Sequence, residues 1–282
     1  MEKEHKNDKR QLEVNNDAHF SDEVVDYWNK RSETYSNSIK DELDDAHLIA
    51  WSKALLSRIC SCSTQSAAEG LKVLDLGCGP GFFEIILSRS GFSVCGVDSS
   101  HQMIEQARVN VRQFGDPALV EFLCCDVSEL PLDTSCFDVV VSRNVTWLMP
   151  DPLKAYSEWH RVLKPGGKML VFDANWYSYL VDDQINQVRL GDQDDSSILA
   201  WSEQSFATSE QERRCEALAL RLPLTYERRP EWDESVLPSL GFDEVRADER
   251  FSELVWTKGE QSYYSTSPLF AIEAQKSCLA RV

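Results

Sequence analysis

The sequence contains no long apolar run and has few basic residues. No stretch approaches the roughly 20 consecutive apolar residues of a membrane-spanning helix, and the charged opening MEKEHKNDKR does not resemble a secretory signal. Lysine and arginine number 29 against 47 aspartate and glutamate residues, which gives a formal net charge of −18. Because phosphates are bound through lysine and arginine, this balance disfavours nucleic-acid and membrane-surface partners. A neutral or cationic small substrate is compatible with it, while solubility is the simpler explanation.

Paired cysteines with metal-ligand spacing are also missing. The nine cysteines are an odd number, they are scattered, and none forms a C-x-x-C pair. The close pairs Cys60/Cys62 and Cys124/Cys125 lack the spacing of a structural zinc site. We therefore expect free thiols, no metal and a cytoplasmic location.

The hydrophobic pattern divides the chain into five segments. Residues 1–18 are polar and expected to be frayed. Residues 19–62 predict a helical lid, and residues 70–175 alternate short apolar strands with helices. Residues 178–228 are polar and acidic and predict a helical insertion after the fifth strand. Residues 229–282 predict a further helix and two strands, which we interpret as an antiparallel pair.

The alternation of strands and helices defines the expected fold class. Short apolar strands separated by helices indicate a parallel sheet that is covered on both faces. We predict a single α/β domain over residues 19–282, with a Rossmann-like, seven-stranded, mostly parallel sheet.

Three glycines lie within five positions in VLDLGCGPGFFEIILSRSG, between a predicted strand and a predicted helix. In an open parallel sheet, ligands bind outside the carboxyl ends of the strands, and glycines allow the backbone to approach them closely. The dinucleotide fingerprint is G-x-G-x-x-G/A, in which the last small residue permits close packing. Here that position is Phe82 and the spacing is G-x-G-x-G, which argues against a nicotinamide cofactor.

The glycine turn and the landmarks after it resemble class I S-adenosylmethionine-dependent methyltransferases of the small-molecule type. VLDLGCGPG resembles the first motif of that family, and GVDSSHQMIEQAR and LCCDVSELP follow at the ends of the second and third predicted strands. FDVVVSRNVTWLM and EWHRVLKPGGKMLVFD resemble the fourth and fifth strand regions. The resemblance is close over residues 70–175, and it implies a bound S-adenosylmethionine and the product S-adenosylhomocysteine.

The resemblance also implies roles for particular residues. Asp98 would accept hydrogen bonds from the ribose hydroxyls, Asp126 would contact the adenine amino group, and Asp75 would lie near the methionine amino group. Met103 would pack on adenine, and Tyr35, in a W-x-x-R-x-x-x-Y-like pattern, would close over the methionine part. Local capping by Asp75, and packing of Met103 and Tyr35 in the core, are the structural alternatives.

The complete set of cofactor-binding candidates follows from the same motifs: Tyr35, Asp75, Gly77, Cys78, Gly79, Gly81, Asp98, Ser99, Met103, Asp126, Val127, Arg143 and Asn144.

Methyl transfer from a sulfonium needs an in-line arrangement, exclusion of water and a neutral or deprotonated acceptor. A general base could help, but the sequence does not identify one. His160 and His101 are expected to lie away from the methyl group, and His19 and His47 are most simply surface residues. We therefore assign no catalytic residue and keep an unassisted mechanism as an alternative.

Aromatic residues follow the fourth and fifth predicted strands. Trp147 comes after the fourth, and Trp176, Tyr177 and Tyr179 come after the fifth, where an acceptor pocket is expected. Aromatic faces near carboxylates suit an amine-bearing or cationic acceptor. The alternative is that these rings fill the core of a lid.

The function predicted from the sequence is methyl transfer from S-adenosylmethionine to a small molecule at N, O, S or C. One rival is a protein or peptide methyltransferase, which would need an open groove. Another is a protein that binds the cofactor without catalysis, and a third is a nicotinamide oxidoreductase. The oligomeric state and the identity of the acceptor do not follow from the sequence.

Overall fold

The computed structural model of the chain describes residues 18–43, 45–60, 70–192 and 207–278. Nearly all of the predicted N-terminal segment 1–18, residues 61–69 and the middle of the predicted insertion lie outside these ranges. Within them, no helix is both long and apolar enough to cross a membrane. The same ranges contain no group of three histidine, cysteine, aspartate or glutamate side chains placed to hold a metal ion.

Seven strands form one sheet in the described part of the chain. In chain order they are β1 (Lys72–Leu76), β2 (Ser93–Asp98), β3 (Val120–Cys124), β4 (Phe137–Arg143), β5 (Leu163–Asp173), β6 (Phe242–Asp248) and β7 (Phe270–Lys276).

Helices precede, separate and follow these strands. They are α1 (Ala18–Asp41), α2 (Asp45–Ile59), α3 (Phe82–Arg89), α4 (His101–Phe114), α5 (Pro152–Val162), α6 (Asp183–Asp192), α7 (Ser209–Ala219), α8 (Glu231–Val236), α9 (Ser252–Val255) and α10 (Lys258–Tyr263).

The strand order across the sheet is β3-β2-β1-β4-β5-β7-β6. The first five strands are parallel, and β7 is antiparallel to both β5 and β6. The predicted fold class and the antiparallel closing pair are therefore confirmed. The order reverses between β1 and β4, which is where an open α/β sheet forms its ligand crevice.

Alternate residues of the central strands point to opposite faces of the sheet, where they pack in two separate hydrophobic cores. Val139 and Val141 of β4 pack on one face of the sheet, in a buried cluster with Trp51 of α2. Val140 points to the other face, where it packs in a second cluster with Trp159 of α5. This alternation follows from the two-residue period of a strand, and it explains why buried parallel strands have continuous apolar sequences.

The segment KPGG predicts a turn before the fifth strand because proline and glycine favour turns, but in the structure it is part of a continuous β5. Phe137 pairs with Leu163 and Val139 pairs with Lys168, so the register shifts between these two pairs. Gly166 has φ +76° and supplies the left-handed residue of the irregularity. The chain does bend at this segment, but the bend is a bulge within the strand because β4 and β5 pair on both sides of it.

Helix α1 is attached to the sheet region by buried polar contacts. The Ser100 hydroxyl donates to Asn29 Oδ1 at 2.7 Å. Asn110 Nδ2 donates to Ser36 Oγ at 3.0 Å and to the carbonyl of Pro80 at 2.9 Å. Asn110 is fully buried. These contacts hold α1 directly against the glycine turn, in the place predicted for a lid.

The insertion after β5 packs on the lid helix. A buried cluster joins Phe20 and Tyr27 of α1 to Leu218 and Leu222 at the end of α7, and Trp147 belongs to the same cluster. The insertion and the N-terminal helix therefore cover the same end of the sheet.

Candidate active site

The glycine turn between β1 and α3 is held in a tight, left-handed conformation. Gly77, Gly79 and Gly81 have φ of +74°, +51° and +92°. The amides of Gly77 and Cys78 both donate to the carbonyl of Val97, at 2.7 and 2.9 Å. These glycines are required because other L-residues rarely adopt such φ values.

Two of these glycines also provide space. A Cβ at Gly77 would lie 2.7 Å from Val145 Cγ1, which is closer than real contacts. A Cβ at Gly81 would lie 3.2 Å from the side chain of Ala107 on α4. Gly81 was predicted to bind the cofactor, but the structure places it at the packing contact between α3 and α4.

Asp98, at the end of β2, closes the turn. Its Oδ2 accepts from the amide of Gly79 at 3.0 Å, and its Oδ1 accepts from the amide of Ser100 at 2.8 Å. Burial raises the pKa of Asp98 to about 6, although both backbone hydrogen bonds lower it. Each carboxylate oxygen has two lone pairs, so the group can accept further hydrogen bonds.

A cavity lies over the turn, and we call it the turn cavity. It encloses about 320 Å³, part of it open to solvent. It is lined by Tyr35, Ile39, Asp75, Gly77, Cys78, Gly79, Pro80, Phe82, Phe83 and Arg143.

The floor of the turn cavity is acidic. Asp75 of β1 is 3% exposed, and no described group donates a hydrogen bond to its Oδ1. Burial and the charge of Asp98 raise the pKa of Asp75 to about 7, although the side chain of Glu84 and the charge of Arg143 lower it. A buried carboxyl that lines a cavity is suited to a cationic ligand group.

Tyr35 and Arg143 form the roof and wall of the turn cavity. Tyr35 Cε1 lies 3.7 Å from the position that a Cβ on Gly79 would occupy. The guanidinium of Arg143 lies between two rings, 4.6 Å from the centre of Trp51 and 4.4 Å from that of Phe82. It also pairs with Glu42, which directly follows α1. Arg143 therefore connects β4 to both N-terminal helices.

Asn144 occupies a special backbone position directly after β4. Its φ is +58°, a region in which asparagine is enriched among non-glycine residues. Its side chain lowers the pKa of Tyr35 against the effect of burial, while no described donor reaches its buried Oδ1. Such backbone outliers concentrate at functional sites.

The candidates for the adenine end lie along the ends of β2 and β3. Asp126 is exposed, and its Oδ1 accepts from the amide and hydroxyl of Ser128 at 2.7 and 2.8 Å. Val127 and Met103 are buried, and Ser99 is half-buried. The burial of Met103 fits packing either in the core or beneath an adenine ring.

Three of the four predicted acceptor residues line one cavity, which we call the aromatic cavity. Its lining consists of Trp147, Ala174, Asn175, Trp176, Tyr177, Ser178, Leu224, Thr225 and Arg229. Tyr179 does not line it; the Tyr179 hydroxyl donates to Glu216 at 2.6 Å, and Arg189 stacks on its ring.

A buried carboxylate orients the two tryptophans. Asp173, at the end of β5, accepts from the indole N–H of Trp176 at 2.9 Å and from the amide of Trp147 at 3.1 Å. Arg229 donates to Asp173 at 3.1 Å and to Asp233 at 2.7 Å, and all three side chains are almost completely buried.

The sequence reasoning missed part of the aromatic group. Trp176 lies 5.5 Å from Tyr264 and 6.3 Å from Trp256, measured between ring centres, and Trp256 lies 5.1 Å from Tyr264. The pKa of Tyr264 is raised by burial and by nearby acidic groups that include Glu42. Trp176, Trp256 and Tyr264 form what we call the aromatic wall, which lies next to Tyr35. In the sequence, Tyr264 is indicated only by the number of aromatic residues in the segment before β7.

No described histidine lines either cavity. His47 contacts Glu260 at 2.9 Å, His160 lies beside the ring of Phe242, and His19 and His101 are exposed. None of them is therefore placed as a general base.

Comparison with known proteins identifies the domain. Residues 74–171 match a family of methyltransferase domains. The chain is 33% identical over 153 residues to an uncharacterised 37.1 kDa transposon protein of Streptomyces fradiae, covering 52% of this chain and 43% of that protein. It is 28% identical over 165 residues to the ubiquinone biosynthesis O-methyltransferase of Coxiella burnetii, covering 58% and 64%.

The fold is similar to that of a solved methyltransferase. The structure of Haemonchus contortus phosphoethanolamine N-methyltransferase 2, in complex with phosphomonomethylethanolamine and S-adenosylhomocysteine, aligns with a TM-score of 0.51 at 18% identity. The alignment covers 84% of this chain and 58% of that one. The chain spans less than two thirds of the length of each of these three relatives. Residues 74–171 match the methyltransferase-domain family and the chain shares the fold of a solved methyltransferase, in agreement with the resemblance of its motifs.

Proposed function

We propose that the protein transfers a methyl group from S-adenosylmethionine to a small-molecule acceptor and releases S-adenosylhomocysteine. The observation that carries this proposal is the arrangement around the glycine turn. Asp98 accepts a hydrogen bond from the amide of Gly79, and the buried carboxyl of Asp75 lines the adjoining cavity. The ribose hydroxyls can donate hydrogen bonds to Asp98, and the cationic amino group can pair with Asp75. The residues present therefore fit the cofactor.

The residues of this chain have separate tasks in that reaction. When bound, the cofactor supplies an activated, positively charged methyl donor. The backbone of Gly77 and Gly79 and the carboxyls of Asp75 and Asp98 hold it in one orientation. Tyr35 and the lid helix exclude water from the turn cavity. Because no described histidine lines a cavity, positioning accounts for catalysis without a histidine base.

We further propose an amine-bearing or cationic acceptor. Trp176 lines the aromatic cavity and packs with Trp256 and Tyr264. Glu42, which pairs with Arg143, is among the acidic groups near Tyr264. Cations are attracted to ring faces and to carboxylates. The unpartnered Oδ1 of Asn144 offers an acceptor for an N–H of such a group.

The remaining features support modest further proposals. The eight cysteines described are free thiols, which suits a reducing compartment such as the cytoplasm. The acidic composition supports neither nucleic acid nor an anionic membrane as a partner. We treat residues 19–282 as one catalytic domain and assign no oligomeric state.

Cofactor binding is tested by calorimetric titration of S-adenosylhomocysteine. We expect Asp98→Ala to weaken binding by about 1.5–3 kcal/mol because hydrogen bonds to a charged group are lost. NADH is the control ligand, and Asp133→Ala is the matched control at an exposed aspartate outside the predicted site. Absence of binding to the wild type, or preferred binding of NADH, would contradict the assignment.

The acceptor class is tested by radiolabelled methyl transfer to matched compounds, such as phenethylamine and phenethyl alcohol. We expect transfer to the amine, and Tyr264→Leu should raise its KM about 2- to 30-fold through loss of about 0.5–2 kcal/mol of cation–π attraction. The affinity for S-adenosylhomocysteine should not change. Tyr226→Leu removes an exposed ring and serves as the control.

Other outcomes of these two experiments would favour the alternative functions. Transfer to the alcohol alone would contradict the amine proposal. Cofactor binding without turnover on any small acceptor would favour a binding protein, and turnover only on peptides would favour a peptide methyltransferase.

A further inference from the structure

Glu84 is a buried acid in an apolar helix. It lies in the first turn of α3 and is 0% exposed. A Cβ added at Gly96 of β2 would overlap Glu84 Oε1 and would lie 2.9 Å from Phe122 Cδ1. Gly96 has no positive φ, so space rather than conformation requires glycine there. Glycine weakens a strand interior and often marks a close approach. Here it makes room for a carboxyl.

Glu84 meets Asp75 beside this glycine. Asp75 is the register partner of Gly96 in the β1–β2 pair, and the carboxyls of Asp75 and Glu84 interact directly. No described N–H or O–H group donates to either oxygen of Glu84 or to Asp75 Oδ1. Two buried carboxylates in contact cannot both be charged, so a proton between them is the means of satisfying both.

The surroundings of the pair hold the proton in place. Asp98 and the buried thiol of Cys78 act on the pair, and the half-buried Cys95 acts on Glu84 from the other face of the sheet; burial raises the pKa of both thiols, so they stay neutral. Arg143 is the cation that acts on Asp75.

The two carboxyls have different positions in the site. Burial and the charge of Asp75 raise the pKa of Glu84 well above its ordinary value. Asp75 lines the turn cavity and Glu84 does not. Glu84 is therefore the member that retains the proton and donates it to Asp75.

We propose that Glu84 is a positioning residue that donates a shared proton to Asp75, so that the pair presents one negative charge to the ammonium group of the cofactor. The proposal rests on the proposed function and deepens it. It predicts that cofactor binding is coupled to the protonation of this pair.

The sign of the coupling follows from the charge of the pair. Below about pH 7 both carboxyls hold protons, and an ammonium group must displace one of them to bind. Above pH 7 the pair already carries its single negative charge. Affinity for S-adenosylhomocysteine should therefore fall about tenfold from pH 8 to pH 6, and about half a proton should be released per ligand bound at pH 7.

The experiment compares Glu84→Gln with Glu84→Met by calorimetry between pH 6 and pH 8.5. Both side chains are neutral and similar in size, but only glutamine can donate to Asp75. We expect the glutamine variant to keep the wild-type pH profile. The methionine variant should move the midpoint upward by about one pH unit, lowering affinity about fivefold at pH 7 and little at pH 8.5.

A second ligand separates Asp98 from the pair. 5′-Methylthioadenosine contains the same ribose but no ammonium group, so it reports the titration of Asp98 alone. Equal pH profiles for the two ligands, or equal profiles for the glutamine and methionine variants, would overturn the role of Glu84. Failure of both ligands to bind the wild type would overturn the proposed function instead. If the methionine variant does not fold, the difference between the protons released by S-adenosylhomocysteine and by 5′-methylthioadenosine on the wild type tests the coupling of the pair, and equal counts would overturn it.

Discussion

Replacing Arg229 with methionine is expected to lower the free energy of unfolding by about 3–5 kcal/mol, because the carboxylates of Asp173 and Asp233 would be left buried without their cation. The Arg229 side chain is 1% exposed and both carboxylates are 0% exposed. The Tyr156 hydroxyl also donates to Asp233, at 2.5 Å, so the network would lose its centre. Urea unfolding followed by circular dichroism measures the effect.

The neighbouring arginine provides the matched control. Arg228 is 85% exposed and pairs only with Glu231 among the interactions described for it. Arg228→Met should change stability by no more than about 0.5 kcal/mol. Equal effects of the two substitutions would show that the buried network does not hold this end of the sheet.

Replacing Gly77 with alanine is expected to destabilise the protein by about 2–5 kcal/mol and to weaken cofactor binding at least tenfold. The positive φ costs about 1–2 kcal/mol in an alanine, and the added Cβ clashes with Val145 at a cost of about 1–3 kcal/mol. Thermal unfolding and titration of S-adenosylhomocysteine measure the two effects.

Two variants divide this cost into its parts. Gly91 has φ +85° and open space around it, so Gly91→Ala should show only the conformational part. The double variant Gly77→Ala/Val145→Ala should recover stability relative to Gly77→Ala, because the clashing methyl groups are removed. If it recovers none, steric overlap with Val145 is not the cause.

The sequence was sufficient for features that local patterns determine. Apolar runs and turn signals predicted seven strands, and the described part of the chain contains seven, although β5 begins at Leu163, before the predicted turn. The signal is clearest in β1 and β4, because these strands are buried on both faces. The cap of α4 was equally local: Ser100 Oγ accepts from the amide of Met103 at 3.1 Å. The spacing of the glycines and the place of Asp98 followed from the same strand-to-helix logic.

Contacts between distant segments were not predictable in this way. Arg229 and Asp173 are 56 residues apart, and nothing near either one indicates the other. Tyr264 joins the aromatic wall through the packing of a segment after β6 against a residue after β5. Glu84 was overlooked because an acid in the first turn of a helix is ordinary. Only the glycine facing it in β2 could have indicated a buried carboxyl.

The strand order has a consequence for how the sheet is completed. β6 pairs with β7 alone, and β7 lies between β5 and β6 although it comes last in the chain. β6 therefore has no strand partner until residues 270–276 are in position, and the two strands must join the sheet together. Phe270 is the register partner of Asp173, so the arrival of β7 also fixes the residue that orients the tryptophans. Assembly of one edge of the sheet and ordering of the aromatic cavity are thus a single folding event.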